Sequence, residues 1–335
     1  MRGAGQRAYV WAKACGIIGK TYLGARTSQL FPITRLAELD RLLFPSSPLE
    51  LPERELSARL ERRVSDRAAS RTVGIVSSFK KPAAALVRLI SAYEYADLAR
   101  TLAAVAAGER NPPEVTDIGS FRTVHFEAYP DVAKMTFRTE FSWLAEKKVS
   151  PESLVEIETD LDRRYYYALW SEIVDLPRSD RNVFQELVSE EISLKNIVWA
   201  LRLRVYYGIE GEDLARRLVD VKYKGHSLAD DAIRIGDFAL DRKEDWKNWK
   251  RRYLLNEEKP GEFWKIDPRR VQNAASRRLY SRARCLFRMN PSSLGAVACF
   301  AKLVQFEEDL LTSVAEGLCL GLSPRDVVAA LEVSA

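Results

Sequence analysis

The sequence predicts an all-α fold: three related helical-bundle subdomains arranged with pseudo-threefold symmetry. Three observations carry that reading: glycine and proline are sparse, apolar residues recur at helical steps, and one helix pattern occurs three times. Only 16 Gly and 14 Pro stand among 335 residues, which favours long helices with short connections over many strands joined by glycine-rich turns. The hydrophobic share of 47% and charged share of 30% are those of a soluble globular chain.

The elements follow in order. Phe31-Pro32 opens a segment with Ile33, Leu36, Leu39 and Leu43 at three- and four-residue steps, and Pro32 suits the first turn of a helix. Leu56, Leu60, Val64 and Ala68 lie four apart among Arg and Glu, the pattern of an amphipathic helix with a solvated charged face. Pro82 opens a richer run through Leu86, Leu89, Ile90, Tyr93, Leu98, Leu102 and Val105 that ends at Gly108. A glycine there tolerates the left-handed backbone that closes a helix. After Asn111-Pro112-Pro113 the stretch 114–130 is the least helical, and Thr123-Val124-His125-Phe126 reads as a short extended piece. Ser150-Pro151-Glu152 reads as a helix start, with a capping Ser, a first-turn Pro and an acid near the positive helix end. The segment 183–207 is helical up to Gly208, and 241–256 places Trp246, Trp249 and Tyr253 at helical spacing among Arg242, Lys243, Lys247, Lys250, Arg251 and Arg252. Lys259-Pro260-Gly261 and Asp267-Pro268 set that segment apart from a last helical third.

The repeat organises these elements. Tyr93-Glu94-Tyr95-Ala96-Asp97-Leu98 leads to Gly108, Glu191-Ile192-Ser193-Leu194-Lys195-Asn196-Ile197 to Gly208, and Gln305-Phe306-Glu307-Glu308-Asp309-Leu310 to Gly321. Asp213-Leu214 follows Gly208, and Asp326-Val327 follows Gly321, at the same distance. The anchors Asp97, Asn196 and Asp309 lie 99 and 113 residues apart, so the expected subdomains are 1–110, 111–225 and 226–335. Three such units around an axis leave an axial opening, a natural place for a rod-like partner.

Little in the chain points to chemistry. No stretch approaches the ~18 consecutive apolar residues that span a bilayer; Leu294–Ala301 is eight residues long and meets Lys302. The opening residues, with Arg2, Arg7 and Lys13 around Tyr9-Val10-Trp11, lack a continuous apolar signal segment, so a cytoplasmic chain is expected. Cys15, Cys285, Cys299 and Cys319 form no C-x-x-C, and His125 and His226 lie far from them. Free thiols serving as small core residues are the expectation, with no metal site. Gly16-Ile17-Ile18-Gly19-Lys20-Thr21 ends like a phosphate loop, but its glycine spacing is too short and no buried strand leads into it. Neither histidine sits beside a nucleophile-like motif, and Glu158, Asp160 and Asp162 with Arg163 and Arg164 fit an ion-paired solvated face. The formal charge of +5 comes from 52 basic residues interleaved with 47 acidic ones. The segment 241–253 is the best nucleic-acid candidate, since bases stack on aromatic rings beside cations. On a helix, however, its aromatics share one side and would bury against a neighbour.

Several segments resemble a known family. Ile157-Glu158-Thr159-Asp160-Leu161-Asp162-Arg163-Arg164-Tyr165-Tyr166 resembles the E-x-x-L-D-x-x-Y signature of the V-type/A-type ATPase C (or d) subunit family. Glu191 to Ile197 with Leu201-Arg202 is similar to its E-I-D-L-x-N-I…L-R, Tyr93 to Leu98 to its Y-D-x-x-N-L-K, and Ala8 to Lys13 to its opening Y-A-Y-x-x-A-R. The similarity runs in order along essentially the whole chain. It departs at Ser193, where the family has an acid, at Ala99, where it has a lysine, and at Leu310, where an asparagine is usual.

The resemblance implies a funnel-shaped, non-catalytic central-stalk adaptor on the cytoplasmic face of a membrane rotor ring. It would receive the central shaft in its socket and pass torque between shaft and ring for proton or sodium transport. Shaft and ring subunits would be its partners, with one copy per complex, and it would bind no cofactor, metal or nucleic acid. The polar residues of the repeat helices, Glu94, Asp97, Glu191, Asn196, Glu307 and Asp309, are the candidates for partner contact; alternatively they only cap or solvate their own helices. The competing function is a helical nucleic-acid-binding or scaffold protein using 241–253.

Overall fold

Most of the long helices carry more apolar surface than one neighbour can cover, and the chain supplies the remaining neighbours from far along the sequence. The computed structural model describes residues 2–258, 261 and 263–331. Four helices form the N-terminal part: α1 (Arg2–Ile18), α2 (Leu36–Leu43), α3 (Glu53–Val76) and α4 (Ala84–Ala106). A stretch of short turns containing α5 (Val132–Met135) leads to α6 (Leu154–Val174) and α7 (Arg178–Tyr207). The short helices α8 (Gly211–Arg217) and α9 (Asp230–Ile233) flank a two-residue hairpin, β1 (Lys222–Tyr223) with β2 (His226–Ser227). The chain then runs through α10 (Pro268–Met289), α11 (Leu294–Cys319) and α12 (Pro324–Leu331). Among the described residues the hairpin is the only sheet, so the fold is all-α.

Helix α11 buries most of its length apart from a polar side at Lys302, Gln305, Glu308 and Asp309, and it packs against α1, α2, α3, α4, α7, α10 and α12. Its first turn approaches α7 closely: a Cβ added at Gly295 would lie 2.5 Å from Val183 Cβ. Asp180, 2% exposed at the start of α7, accepts from Leu294 N (3.1 Å) and holds Arg7 of α1 by two bonds (2.8 and 2.9 Å). One carboxylate thus ties together three helix starts.

Three outlying cores surround the central one, which is drawn mainly from α1, α3, α4, α6, α7, α10 and α11. One joins α4 and α6 through Val124, Phe126, Phe141 and Leu144. A second joins the end of α7 to Trp246, Trp249 and the start of α10. The third joins Tyr22, Leu30, Leu39 and Leu60 near the N-terminus to Leu310, Val314 and Val327 near the C-terminus.

The three repeat helices end alike. Gly108, Gly208 and Gly321 all adopt left-handed backbone, with φ of 69°, 64° and 73°. The residue after each donates back into the last turn: Glu109 N to Ala104 O (3.0 Å), Ile209 N to Leu203 O (3.1 Å) and Leu322 N to Gly317 O (2.8 Å).

Several local expectations are corrected. Pro32 lies in a turn, and α2 opens at Leu36, because the Glu38 side chain captures Thr34 N (2.9 Å) just ahead of the helix. Ser150-Pro151-Glu152 likewise form a turn before α6; Ser153, whose Oγ accepts from Ser150 N (3.0 Å), is the residue at the helix edge. Thr123 to Phe126 form no strand. The segment 241–256 is not a helix but a chain of tight turns. Indole N–H groups hold it, Trp246 to Ala239 O (2.7 Å) and Trp249 to Asp231 O (3.0 Å), and both rings are buried while Tyr253 is exposed. Asp267 and Pro268 cap and start α10; Lys259 and Pro260, expected as a loop, lie outside the described residues. Of the cysteines only Cys299 is buried; Cys15 is half-buried, and Cys285 and Cys319 are exposed.

Candidate functional site

The repeat segments lie mid-helix on α4, α7 and α11, so their polar residues are presented two ways: outward into the connecting loops, or inward between the helices. Four of the six candidate residues turn to the loops and are buried. Glu94 accepts from the backbone N–H groups of Thr123 and Val124 (2.7 Å for the latter) and from the Thr123 hydroxyl (3.0 Å). Asp97 accepts from Thr116 N (2.7 Å) and Oγ1 (3.0 Å) and pairs with Arg100. Asn196 donates to Val219 O (2.9 Å) and Leu228 O (3.2 Å) and accepts from Val219 N (2.9 Å). Glu307 accepts from Tyr22 N (3.0 Å), pairs with Arg71 and lies 3.9 Å from Arg67. Backbone groups of irregular segments cannot satisfy one another as a helix does, and these side chains replace the missing partners.

The same position therefore does the same work in different copies. Glu94 and Glu307 hold the backbone of a crossing segment, while Ser193 between them in register accepts from Arg251 (3.1 Å) instead. Asp97 and Asn196 are followed in register by Leu310, which is 1% exposed. This shifts the third anchor one residue from Asp309, whose side chain is exposed.

Inward, the three repeat segments line one cavity of about 450 Å³. Helix α4 contributes Tyr93, Tyr95, Ala96 and Ala99; α7 contributes Glu191 and Lys195; α11 contributes Lys302, Gln305, Glu308 and Asp309; Glu158, Asp162 and Tyr165 of α6 complete the wall. Two further hollows, about 710 Å³ and about 240 Å³, meet it at Asp309. Glu191 accepts from Lys302 (2.7 Å) and Tyr166 (2.8 Å). Burial opposes its charge, but Lys302 and these bonds outweigh that and hold its carboxyl below the usual range. Lys195 pairs with Asp162 (3.4 Å) and lies 4.9 Å from the ring centres of Tyr166 and Trp199. Glu308, a residue the repeat pattern does not single out, accepts from the Ser65 hydroxyl; burial pushes its carboxyl up to about 7, against that bond and with help from Asp309. Desolvation by the cavity walls pushes Asp309 up to about 6, against the pull of Lys302. Its contact with water in the open cavity moderates that shift.

Elsewhere the sequence candidates are dispersed. Arg251 is taken up by Glu190 (3.1 Å) and Asp231 (2.9 Å), and with Trp246 and Trp249 buried the 241–253 segment presents Tyr253 as its exposed ring. His125 is exposed beside Glu127 (3.5 Å), and His226 is exposed in the hairpin. Gly19-Lys20-Thr21 forms the turn that follows α1, with the Thr21 hydroxyl bonded to Ile18 O (2.7 Å).

Fold and site together define a class: an all-helical protein whose repeat helices fasten irregular segments, near or far along the chain, on one side and line a cavity on the other. The family model for the ATP synthase (C/AC39) subunit matches residues 49–328, and the chain belongs to that family of V/A-type ATPase subunits. An uncharacterized protein of Treponema pallidum (strain Nichols) is 27% identical to it over 326 residues, covering 93% of this chain and 92% of that relative. The resemblance read from the motifs is thus borne out at the level of the family. No described helix is long and apolar enough to cross a membrane.

Proposed function

We propose that this chain is the non-catalytic central-stalk adaptor of a rotary V/A-type ATPase, linking the central shaft to the membrane rotor ring. In that role it transmits torque for proton or sodium transport, one copy per complex, at the cytoplasmic face and peripheral to the membrane. One observation carries the reading: the same short stretch of all three repeat helices faces a single cavity, which suits an axial rod.

Torque transmission needs stiffness and shape rather than reactive groups. The loop-fastening carboxylates and Asn196 supply stiffness, since each joins a repeat helix to a segment at least 19 residues away. Three modules around the opening remain our reading of the architecture, with boundaries offset from the linear thirds. The third module is completed by residues from Tyr22 to Val64, which share a core with Leu310 to Val328.

Affinity purification of the tagged full chain from its own cells tests this. Shaft and ring subunits of the ATPase are expected to co-purify, and the isolated chain to lack ATPase activity. Purification without either partner, or nucleotide hydrolysis that stays with the chain through stringent purification, would contradict the adaptor role.

A further inference from the structure

The three repeat helices present different chemistry to their shared cavity. On α4 the charged repeat residues, Glu94 and Asp97, are turned away to Thr123 and Thr116, leaving tyrosines and alanines on the wall. On α7 the charges cancel locally, Glu191 against Lys302 and Lys195 against Asp162. On α11 they do not cancel. Asp309 has no hydrogen bond and no ion pair within 4 Å among the described residues, and the hydrogen bond Glu308 makes is to a neutral hydroxyl, that of Ser65. The nearest cations are committed elsewhere: Lys302 to Glu191 at 2.7 Å, Arg100 to Asp97, and Arg62 to Asp66 at 2.9 Å. The cavity is therefore negative along α11, with Glu158 of α6 a further acid on its lining outside the three repeat helices, in a protein whose formal charge is +5, and a concave, low-dielectric site focuses such a field.

We infer that the occupant of this cavity is a helical rod end carrying lysine or arginine on one side, and that Glu308 and Asp309 fix its angular register. The inference rests on the adaptor reading and goes beyond it by assigning the chemistry of the contact and the wall that makes it. A socket built from three similar modules offers a smooth rod three similar orientations. A negative feature on one wall makes one of them favourable, because opposite charges steer and align partners while unmatched ones oppose the alternatives. The apolar and aromatic walls on α4 would take the rod's aliphatic surface. Rotation would then be resisted by an off-axis ion pair as well as by shape.

The test is titration calorimetry of the full chain with the purified shaft subunit of the same organism's ATPase, at about pH 8, where both acids are ionised, and at about 50 mM and about 300 mM NaCl. Wild type is compared with the Glu308→Gln/Asp309→Asn double variant, whose helicity is checked by circular dichroism. We expect the variant to bind about tenfold more weakly at low salt and to lose most of the salt dependence. The single variant Asp309→Glu, which keeps the charge, should retain wild-type affinity and salt dependence. Equal affinity and equal salt dependence in wild type and variant would overturn the charge key while leaving the adaptor reading intact. No binding by wild type in either salt would overturn both. Sedimentation of the chain alone completes the test: self-association that the double variant abolishes would make a second copy the occupant and would also overturn the inference.

Discussion

Glu307 and Asp309 stand two residues apart on α11 and do opposite work. Glu307 is 2% exposed and joins the third repeat helix to Tyr22, 285 residues earlier, and to Arg71. Asp309 faces an open cavity with its charge unmatched. The same division runs through the molecule: a loop-fastening set of Glu94, Asp97, Asn196 and Glu307, and a cavity wall headed by Glu308 and Asp309. At about 100° of rotation per residue the two positions face opposite sides of the helix, and that decides whether an acid stabilises the fold or remains available to a partner. Composition and spacing do not distinguish the two.

Stability measurements should separate the two sets, and the largest effect is expected at the fastening side. Glu307→Ala leaves Arg71 and the buried Tyr22 N–H without their acceptor and Arg67 without the carboxylate 3.9 Å away, so chemical denaturation should report a loss of about 3 kcal/mol. Asn196→Ala removes three buried bonds to Val219 and Leu228 and should cost about 2 kcal/mol by the same measurement. Asp309→Asn should move stability by no more than about 0.5 kcal/mol. If Asp309→Asn unfolded the chain, or Glu307→Ala were silent, the division would fail.

The smallest effect concerns pH. Glu308 is raised from 4.5 to about 7 by burial, so the folded state keeps a proton that the unfolded chain releases. Its contribution is fully present below the unfolded value and is lost as pH rises through about 7. The groups facing this pair include Asp66 of α3, Arg100 of α4, Asp162 of α6, Lys195 of α7 and Lys302 of α11; α10 offers the neutral Gln272 and Ser276 nearby. Denaturation midpoints of wild type should therefore fall modestly between about pH 5 and about pH 7.5, and those of Glu308→Gln should fall less. Parallel curves would remove Glu308 as the titrating group.

Much of the fold is legible in the sequence. Leu56, Leu60, Val64 and Ala68 are all buried along α3 as their spacing implies, and the three closing glycines adopt the backbone that their positions require. The helix expected at 241–256 does not form because Trp246 and Trp249 spend their indole donors on distant carbonyls, which the residue spacing does not encode. The register of the third repeat is one residue off, since two adjacent acids precede Leu310 and only burial shows which position points inward. Nothing near Glu307 announces Tyr22; a contact across nearly the whole chain leaves no local pattern. At the cavity, the repeat points to Asp309 but not to its neighbour Glu308. In the corrected register both Glu308 and Asp309 stand where the other copies have no acid, Tyr95 and Leu194 for the first and Ala96 and Lys195 for the second, and that mismatch is the local signal for the pair.

The most direct test is a cryo-EM reconstruction of the assembled ATPase that contains this chain. The account requires a rod seated between α4, α7 and α11, with a lysine or arginine within about 4 Å of Asp309. A shaft bound on the outer surface, with the cavity between the repeat helices unfilled, would contradict it.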